Sequence, residues 1–313
     1  MELKEVLFKE LVKKGYSELK DGRKVWDVAN RSILYMTPEL VDSFLKLREH
    51  PRYQKTIVEI ETELLKKNAE KLINGHISGP FNLIDLGCED GSKAKTFIKA
   101  LNGKTKVRFC SVNVSKKLAS LALRNVEKEN FSNVEGCKKI IADFSSLDEI
   151  ASLARNGQYQ KNVVLLLGSI LASFDIHEYL FNLTQGMFKG DVLIIGNAIR
   201  TGERFTNLEN YKDKLFKNWF DHLMRAMGFD DKEVSYDARF ANGRLEGYYT
   251  INNGKKLSCG GKTFEFKKGD EIIAAILYKY YEKELEEFCK MYFREVELVK
   301  DEKSEYALVL CVK

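Results

Sequence analysis

The sequence predicts an α/β protein: a mostly parallel sheet with helices on both faces, ending in an antiparallel hairpin, beside a smaller α+β region. Three observations predict it. Between residues 81 and 197, five short apolar runs alternate with amphipathic stretches, a pattern that calls for right-handed crossover units sharing one sheet. The chain then gives up that alternation for a long helical pattern and several short strand-like segments split by Asn-Gly turns. It closes on apolar runs over 291–299 and 306–312 around the charged turn Lys300-Asp301-Glu302-Lys303, a hairpin that would pair at the sheet edge.

The first ~75 residues read as helix with a loop in the middle. Over 2–14, Leu3, Val6, Leu7, Leu11 and Val12 recur at helical spacing until Gly15 stops them. A second helical run over 53–73 sets Ile57, Ile60, Leu64 and Leu65 on one face, and Asn74-Gly75 and Ser78-Gly79-Pro80 break it. From residue 81, FNLIDLG is a strand and GSKAKTFIKAL a helix; KVRFCSVNV is a strand and SKKLASLALRNVEKE a helix. CKKIIADF, NVVLLLGS and DVLIIGN continue as strands, with SSLDEIASLARN and IHEYLFNLTQGMF as the helices between them. Residues 207–227 repeat Leu208, Tyr211, Leu215, Trp219 and Leu223 at helical spacing. Strand-like segments follow over 234–240, 245–251 and 262–266, and a helix is expected over 270–287.

At 313 residues the chain suits about two domains. Hydrophobic residues at 44% and charged residues at 31% exclude a largely disordered chain. The net charge of +5 is small and scattered, so no nucleic-acid footprint stands out. No apolar stretch reaches the ~18 residues of a membrane span. The N-terminal MELKEVLFKELVKK is charged and amphipathic rather than a signal peptide, so a cytoplasmic location and no membrane partner are expected. Six cysteines (88, 110, 137, 259, 289 and 311) form no CxxC pair, and no two of the four histidines share a motif. No metal site is expected, and the thiols read as reduced and mostly buried.

The chemistry concentrates at strand ends. LIDLGCEDGS puts Asp85 at the end of the first parallel strand, with Gly87 and Gly91 before a helix. Ligands of open parallel sheets bind outside the carboxyl ends of the strands. Gly87 permits a tight turn there, and the helix N-terminus behind it suits a carboxylate or phosphate. The second strand ends in polar Asn113, where a ribose contact belongs; the third ends in Asp143-Phe144, an acceptor for an adenine amino group beside a ring that packs on the base. Together they describe a pocket for an adenosyl group with an amino-acid tail, S-adenosylmethionine. The terminal hairpin fits the Rossmann-like class I methyltransferase sheet and argues against a dehydrogenase.

On these residues the chain resembles the histidine-specific methyltransferases, the ergothioneine-pathway Nα-trimethyltransferase family, from residue 51 to 312. The family's glycine loop with its lysine matches DLGCEDGSK, which adds Lys93 to the cofactor contacts that the resemblance implies. LGSILASF matches the stretch after the fourth strand and implies Gly168 as a further one. PRYQKT brings Tyr53, the helix after the fifth strand brings Tyr211, and GDEIIAAILYKY (269–280) matches the late substrate-binding stretch. The resemblance implies a substrate-covering domain over 1–61 and 201–274 and a cofactor-binding domain over 62–200 and 275–313.

Departures from the family carry the substrate expectation. The loop's middle glycine is Glu89, the ribose Asp is Asn113, and the Asn gripping the substrate's amino-acid end falls on Ser173. The Glu and Ser that hold the histidine ring fall on Ala275 and Leu277. Polar partners of that kind discriminate by about 10⁴ or more, so free histidine is not expected as substrate. Another register would bring Glu271 or Glu246 into their place. The expected activity is N-methylation of an amino-acid-like or other small amine by a monomeric enzyme. Tyr211, Tyr53 and Ser173 would then align and desolvate the acceptor, since an amine must be neutral to attack. Two alternatives remain: a methyltransferase acting on RNA or protein, or a non-catalytic protein that binds S-adenosylmethionine.

Overall fold

The computed structural model describes residues 2–101, 103, 105–143, 147–202 and 208–313. These divide into two compact units, one from residues up to 50 and 208–279, the other from 51–202 and 280–313. In chain order the first strands are β1 (Tyr16–Glu18), β2 (Lys24–Asp27), β3 (Phe81–Leu86), β4 (Val107–Asn113) and β5 (Val134–Ile141). Then come β6 (Lys161–Leu166), β7 (Val192–Ala198), β8 (Val234–Ala241), β9 (Arg244–Ile251) and β10 (Lys255–Cys259). The last four are β11 (Lys262–Phe266), β12 (Glu271–Tyr278), β13 (Glu295–Lys300) and β14 (Tyr306–Val312).

The second unit holds a seven-stranded sheet in the order β13-β14-β7-β6-β3-β4-β5. β3 lies between β4 and β6 and pairs in parallel with both, β4 pairs in parallel with β5, and β6 with β7. β14 enters antiparallel beside β7 and turns back into β13. This is the α/β arrangement, a mostly parallel sheet ending in an antiparallel hairpin, that the sequence predicts. Sheets covered on both faces need apolar residues at consecutive positions, and every residue of β3 and of β14 is buried. Leu83, Leu165, Ile194, Leu308 and Leu310 form the middle of that core. The helices between strands are capped as their sequences suggest: Ser115 accepts the Leu118 N–H before Lys116–Glu127, and Asp175 accepts the Glu178 N–H before Ile176–Gln185.

The first unit is a five-stranded mixed sheet, β1-β2-β12-β9-β8. Helices Leu3–Lys14, Pro38–Glu49 and Lys214–Met227 belong to this unit, and Phe44 meets Trp219 at 5.1 Å between ring centroids. Phe264 of the β10–β11 hairpin packs its edge on Phe8 at 5.2 Å.

Three sequence expectations are corrected here. The helix expected over 270–287 is a strand, β12, followed by helix Glu282–Lys290. EIIAAILY is a continuous apolar run whose period does not distinguish the two, and its place between β2 and β9 decides for strand. The helix expected over 207–227 is two helices, Leu208–Tyr211 and Lys214–Met227, because Asp213 caps the second by accepting the Leu215 N–H; residue 207 lies outside the described residues. The loop expected near the N-terminus contains the β1–β2 hairpin and a helix, Pro38–Glu49, started by Thr37 with proline in its first turn.

Candidate functional site

In the second unit, five parallel strands bring their carboxyl ends to one edge, and the chain leaves β3 there with a polar residue in an apolar run. Asp85 is the fifth residue of β3, opposite Ser111 of β4 and Leu165 of β6, and only 5% exposed. Burial pushes its carboxyl up to about 7 against the pull of Lys93, with Glu89, Asp90 and Glu61 adding to the rise.

The turn after Asp85 is fixed by backbone geometry. Gly87 has φ +78°, and the N–H groups of Gly87 and Cys88 both donate to the Val112 carbonyl, at 2.9 and 3.1 Å. Gly91 has φ +77°, and a Cβ there would lie 2.8 Å from the backbone oxygen of Ala122, so glycine is required twice over. Asp90 Oδ1 accepts the Ser92 N–H at 3.0 Å, and helix Ser92–Ala100 begins. Asn113 braces the same loop: its Nδ2 donates to the Cys88 carbonyl and its Oδ1 accepts from the Ser115 N–H, both at 2.9 Å. Asp85, Gly87, Glu89, Gly91, Lys93 and Leu167 are among the residues that line a small cleft at this edge.

Lys93 is buried at the floor of that cleft. Its Nζ lies 2.7 Å from Glu61 Oε2 and 3.4 Å from Glu89 Oε1. Burial alone would lower the ammonium's pKa, but Glu61 and Glu89 outweigh it and hold the group above the usual lysine range. Glu61 is wholly buried; its Oε1 accepts from the Gly168 N–H at 2.8 Å and the Tyr306 hydroxyl at 2.6 Å. A side chain at Gly196 of β7 would collide with that same oxygen. Tyr53 belongs to this cluster too, since its phenol acts electrostatically on both Lys93 and Tyr306.

The other expected residues spread along the edge. Burial raises the phenol of Tyr179, Asp143 after β5 adds to the rise, and the Tyr179 ring stacks on Phe174 at 4.2 Å. Phe144 lies outside the described residues. Gly168, with φ +74°, and Ser169 form the turn after β6. Ser173 ends a short 3₁₀ helix, and its Oγ is buried with no hydrogen-bond partner among the described residues. Tyr211 belongs to the first unit, where its hydroxyl accepts from Lys279 Nζ at 3.4 Å and its ring meets Phe216 at 5.1 Å. Asp85, Gly87, Gly91, Lys93, Gly168 and Tyr53 are thus gathered in one cluster of the second unit. Asn113 stands behind it as a brace, Ser173 follows β6 beside β3, and Asp143 follows the edge strand β5, two strands from β3.

Sequence reasoning missed Glu61 and Tyr306. One signal was legible: an acid at position 61 falls on the Ile57–Leu64–Leu65 stripe of its helix, where a solvated residue does not belong. The same residues fit an adenosyl cofactor with an amino-acid tail. The raised carboxyl of Asp85 suits its ammonium, Lys93 suits its carboxylate, and the unpartnered Ser173 hydroxyl is left to meet a ligand. Among the described residues no group of three or more His, Cys, Asp or Glu is placed to hold a metal ion, and no helix is long and apolar enough to cross a membrane.

The model of a family described as histidine-specific methyltransferase, SAM-dependent, matches residues 41–313. No curated protein matches the chain. Among solved structures, the chain is similar to a S-adenosylmethionine-dependent methyltransferase from Clostridium acetobutylicum ATCC 824, at 15% identity and TM-score 0.44 over 87% of this chain and 98% of that one. It is also similar to magnesium protoporphyrin IX methyltransferase from Synechocystis PCC 6803, at 11% identity and TM-score 0.47 over 89% and 96%. A third is the sugar N-methyltransferase KedS8 from Streptoalloteichus sp ATCC 53650, at 13% identity and TM-score 0.41 over 84% and 91%.

Proposed function

The chain belongs to the histidine-specific, S-adenosylmethionine-dependent methyltransferase family, and from that premise we propose that it N-methylates an amino-acid-like or other small amine that is not free histidine. The observation that carries the substrate reading is the pair Ala275 and Leu277. They lie two apart on β12 and so share one face of the strand, both half-buried, where the family keeps a Glu and a Ser for the imidazole. The pairing of β12 with β9 slips between Ile273 and Ala275, which sets Ala275 opposite Gly247 and Leu277 opposite Leu245. The acids of the other register, Glu246 and Glu271, are already engaged: Arg239 bridges them, and Arg244 holds Glu246. An apolar wall is what remains for an acceptor side chain.

S-adenosylmethionine, when bound, supplies a methyl group on a sulfonium, which needs no acid to release it. The chain's part is binding, alignment and desolvation. Asp85 receives an ammonium, Gly87 lets the backbone approach, Lys93 and the helix behind it receive a carboxylate, and Asp143 with Phe144 takes the base. In this reading Asn113 is a positioning residue that fixes the glycine loop. Tyr53, Ser173 and Tyr211 orient the acceptor amine and strip it of water, which favours its neutral form. The first unit has the substrate-recognition role, and the enzyme works as a monomer. The six free thiols support a cytoplasmic location.

Calorimetric titration of L-histidine into the protein saturated with S-adenosylhomocysteine tests the substrate reading. No binding in the micromolar range is expected, together with methyl transfer to another amine in a panel. Micromolar binding of histidine would overturn it.

A further inference from the structure

Glu89 occupies the loop position where the family resemblance calls for a glycine, and its carboxylate points at the wrong partner for a passive surface residue. The side chain is 13% exposed, and its Oε1 stands 3.4 Å from Lys93 Nζ. Gly168 leaves the room for this approach: a Cβ there would lie 2.8 Å from Lys93 Nζ and 3.1 Å from Glu89 Oε1. Lys93 therefore answers to two carboxylates, Glu61 and Glu89, while Asp85 and Asp90 line the same cleft.

A zwitterionic amino-acid tail brings one ammonium and one carboxylate. For the ammonium the cleft has several acids. For the carboxylate it has Lys93 as the one cation among its described lining side chains, and the first backbone donor of the neighbouring helix, the Ser92 N–H, is taken by Asp90. We propose that Glu89 sets cofactor affinity, as an internal carboxylate that competes with the cofactor's own carboxylate for Lys93. The proposal rests on reading this cleft as the S-adenosylmethionine site. Of the two internal partners, Glu89 is the one that yields. Glu61 is pinned by the Gly168 N–H and the Tyr306 hydroxyl at the shorter Lys93 distance, whereas Glu89 sits farther away on the more open side. The residue thus weakens binding of any ligand with the tail and is indifferent to the nucleoside.

The test compares the full-length protein with Glu89→Gln, titrating each with S-adenosylhomocysteine and with 5′-methylthioadenosine, which lacks the amino-acid tail. The Gln variant is expected to bind S-adenosylhomocysteine about tenfold tighter, as removal of one competing charge implies, with 5′-methylthioadenosine unchanged. Unchanged or weaker binding of S-adenosylhomocysteine, or an equal shift for both ligands, would overturn the proposal. Glu89→Ala, melted alongside to confirm folding, separates loss of the charge from loss of the side chain; it should shift affinity in the same direction. If the unsubstituted protein binds neither ligand, the cofactor reading itself falls, which is a different failure from a wild type that binds and a variant that does not improve.

Discussion

Lys93 Nζ lies 2.7 Å from Glu61 Oε2, and both side chains are withdrawn from water, Glu61 completely. The pair ties the helix Glu59–Ile73 to the helix that follows the glycine loop, directly beneath the cleft. Glu61 also takes hydrogen bonds from the turn after β6 and from Tyr306 of β14, so one carboxylate joins four elements of the second unit.

Removing one partner of such a pair leaves the other buried and uncompensated. Glu61→Ala is expected to lose about 3–5 kcal/mol of stability, read by urea denaturation. Glu61→Gln, which keeps an acceptor for Gly168 and Tyr306, should lose less. Equal stability for Glu61→Ala and the parent would show that the pair is solvated and the network incidental.

Asp85 sets a pH dependence. Its folded-state carboxyl sits at about 7, above its ordinary 3.8, so the folded form holds the proton more tightly than the unfolded one. The stabilisation this confers is full below pH ~4 and is lost as pH rises to about 7. Unfolding free energy of the ligand-free protein should therefore decline across that window, and Asp85→Asn should flatten the decline. Binding of an ammonium-bearing cofactor should run the opposite way, strengthening as Asp85 ionises. Identical pH profiles for parent and variant would contradict this.

Gly91 is constrained from two sides, by φ +77° and by the Ala122 backbone oxygen 2.8 Å from where a Cβ would stand. Gly91→Ala is expected to cost about 2 kcal/mol or more, since neither the backbone angle nor a neighbouring main chain yields cheaply. Thermal melts compared with Gly157→Ala, where φ is also positive but nothing lies within 4 Å, separate the two contributions.

The substrate reading has a converse. Ala275→Glu combined with Leu277→Ser returns polar partners to one face of β12, and L-histidine affinity should rise by about 10²-fold or more. Each residue is half-buried, so the new groups have room to solvate before ligand binds. An unchanged affinity for histidine in a folded double variant would show that these positions do not face the acceptor.

Much of the second unit was legible because β3, β6, β7 and β14 are mostly apolar and its helices carry their own caps, as at Ser115 and Asp175. The glycine loop was legible for a related reason: Gly87 and Gly91 mark backbone angles that few other residues adopt. The first unit was harder. EIIAAILY has no period that separates a helix from a central strand, and only its pairing with β2 and β9 settles the matter. Glu61 was missed because what makes it part of the site is Lys93, 32 positions on, and Tyr306, 245 positions on. The hydrogen bonds of Asn113 to Cys88 and Ser115 brace the glycine loop, a use that a single strand's sequence does not reveal.

Titration of the purified protein with S-adenosylhomocysteine tests the account most directly. Saturable 1:1 binding with a dissociation constant in the micromolar range, weakened at least tenfold by Asp85→Asn, is the expected result. A protein that melts as a folded chain yet gives neither heat nor thermal shift with that ligand would contradict the reading of this strand edge as a cofactor site.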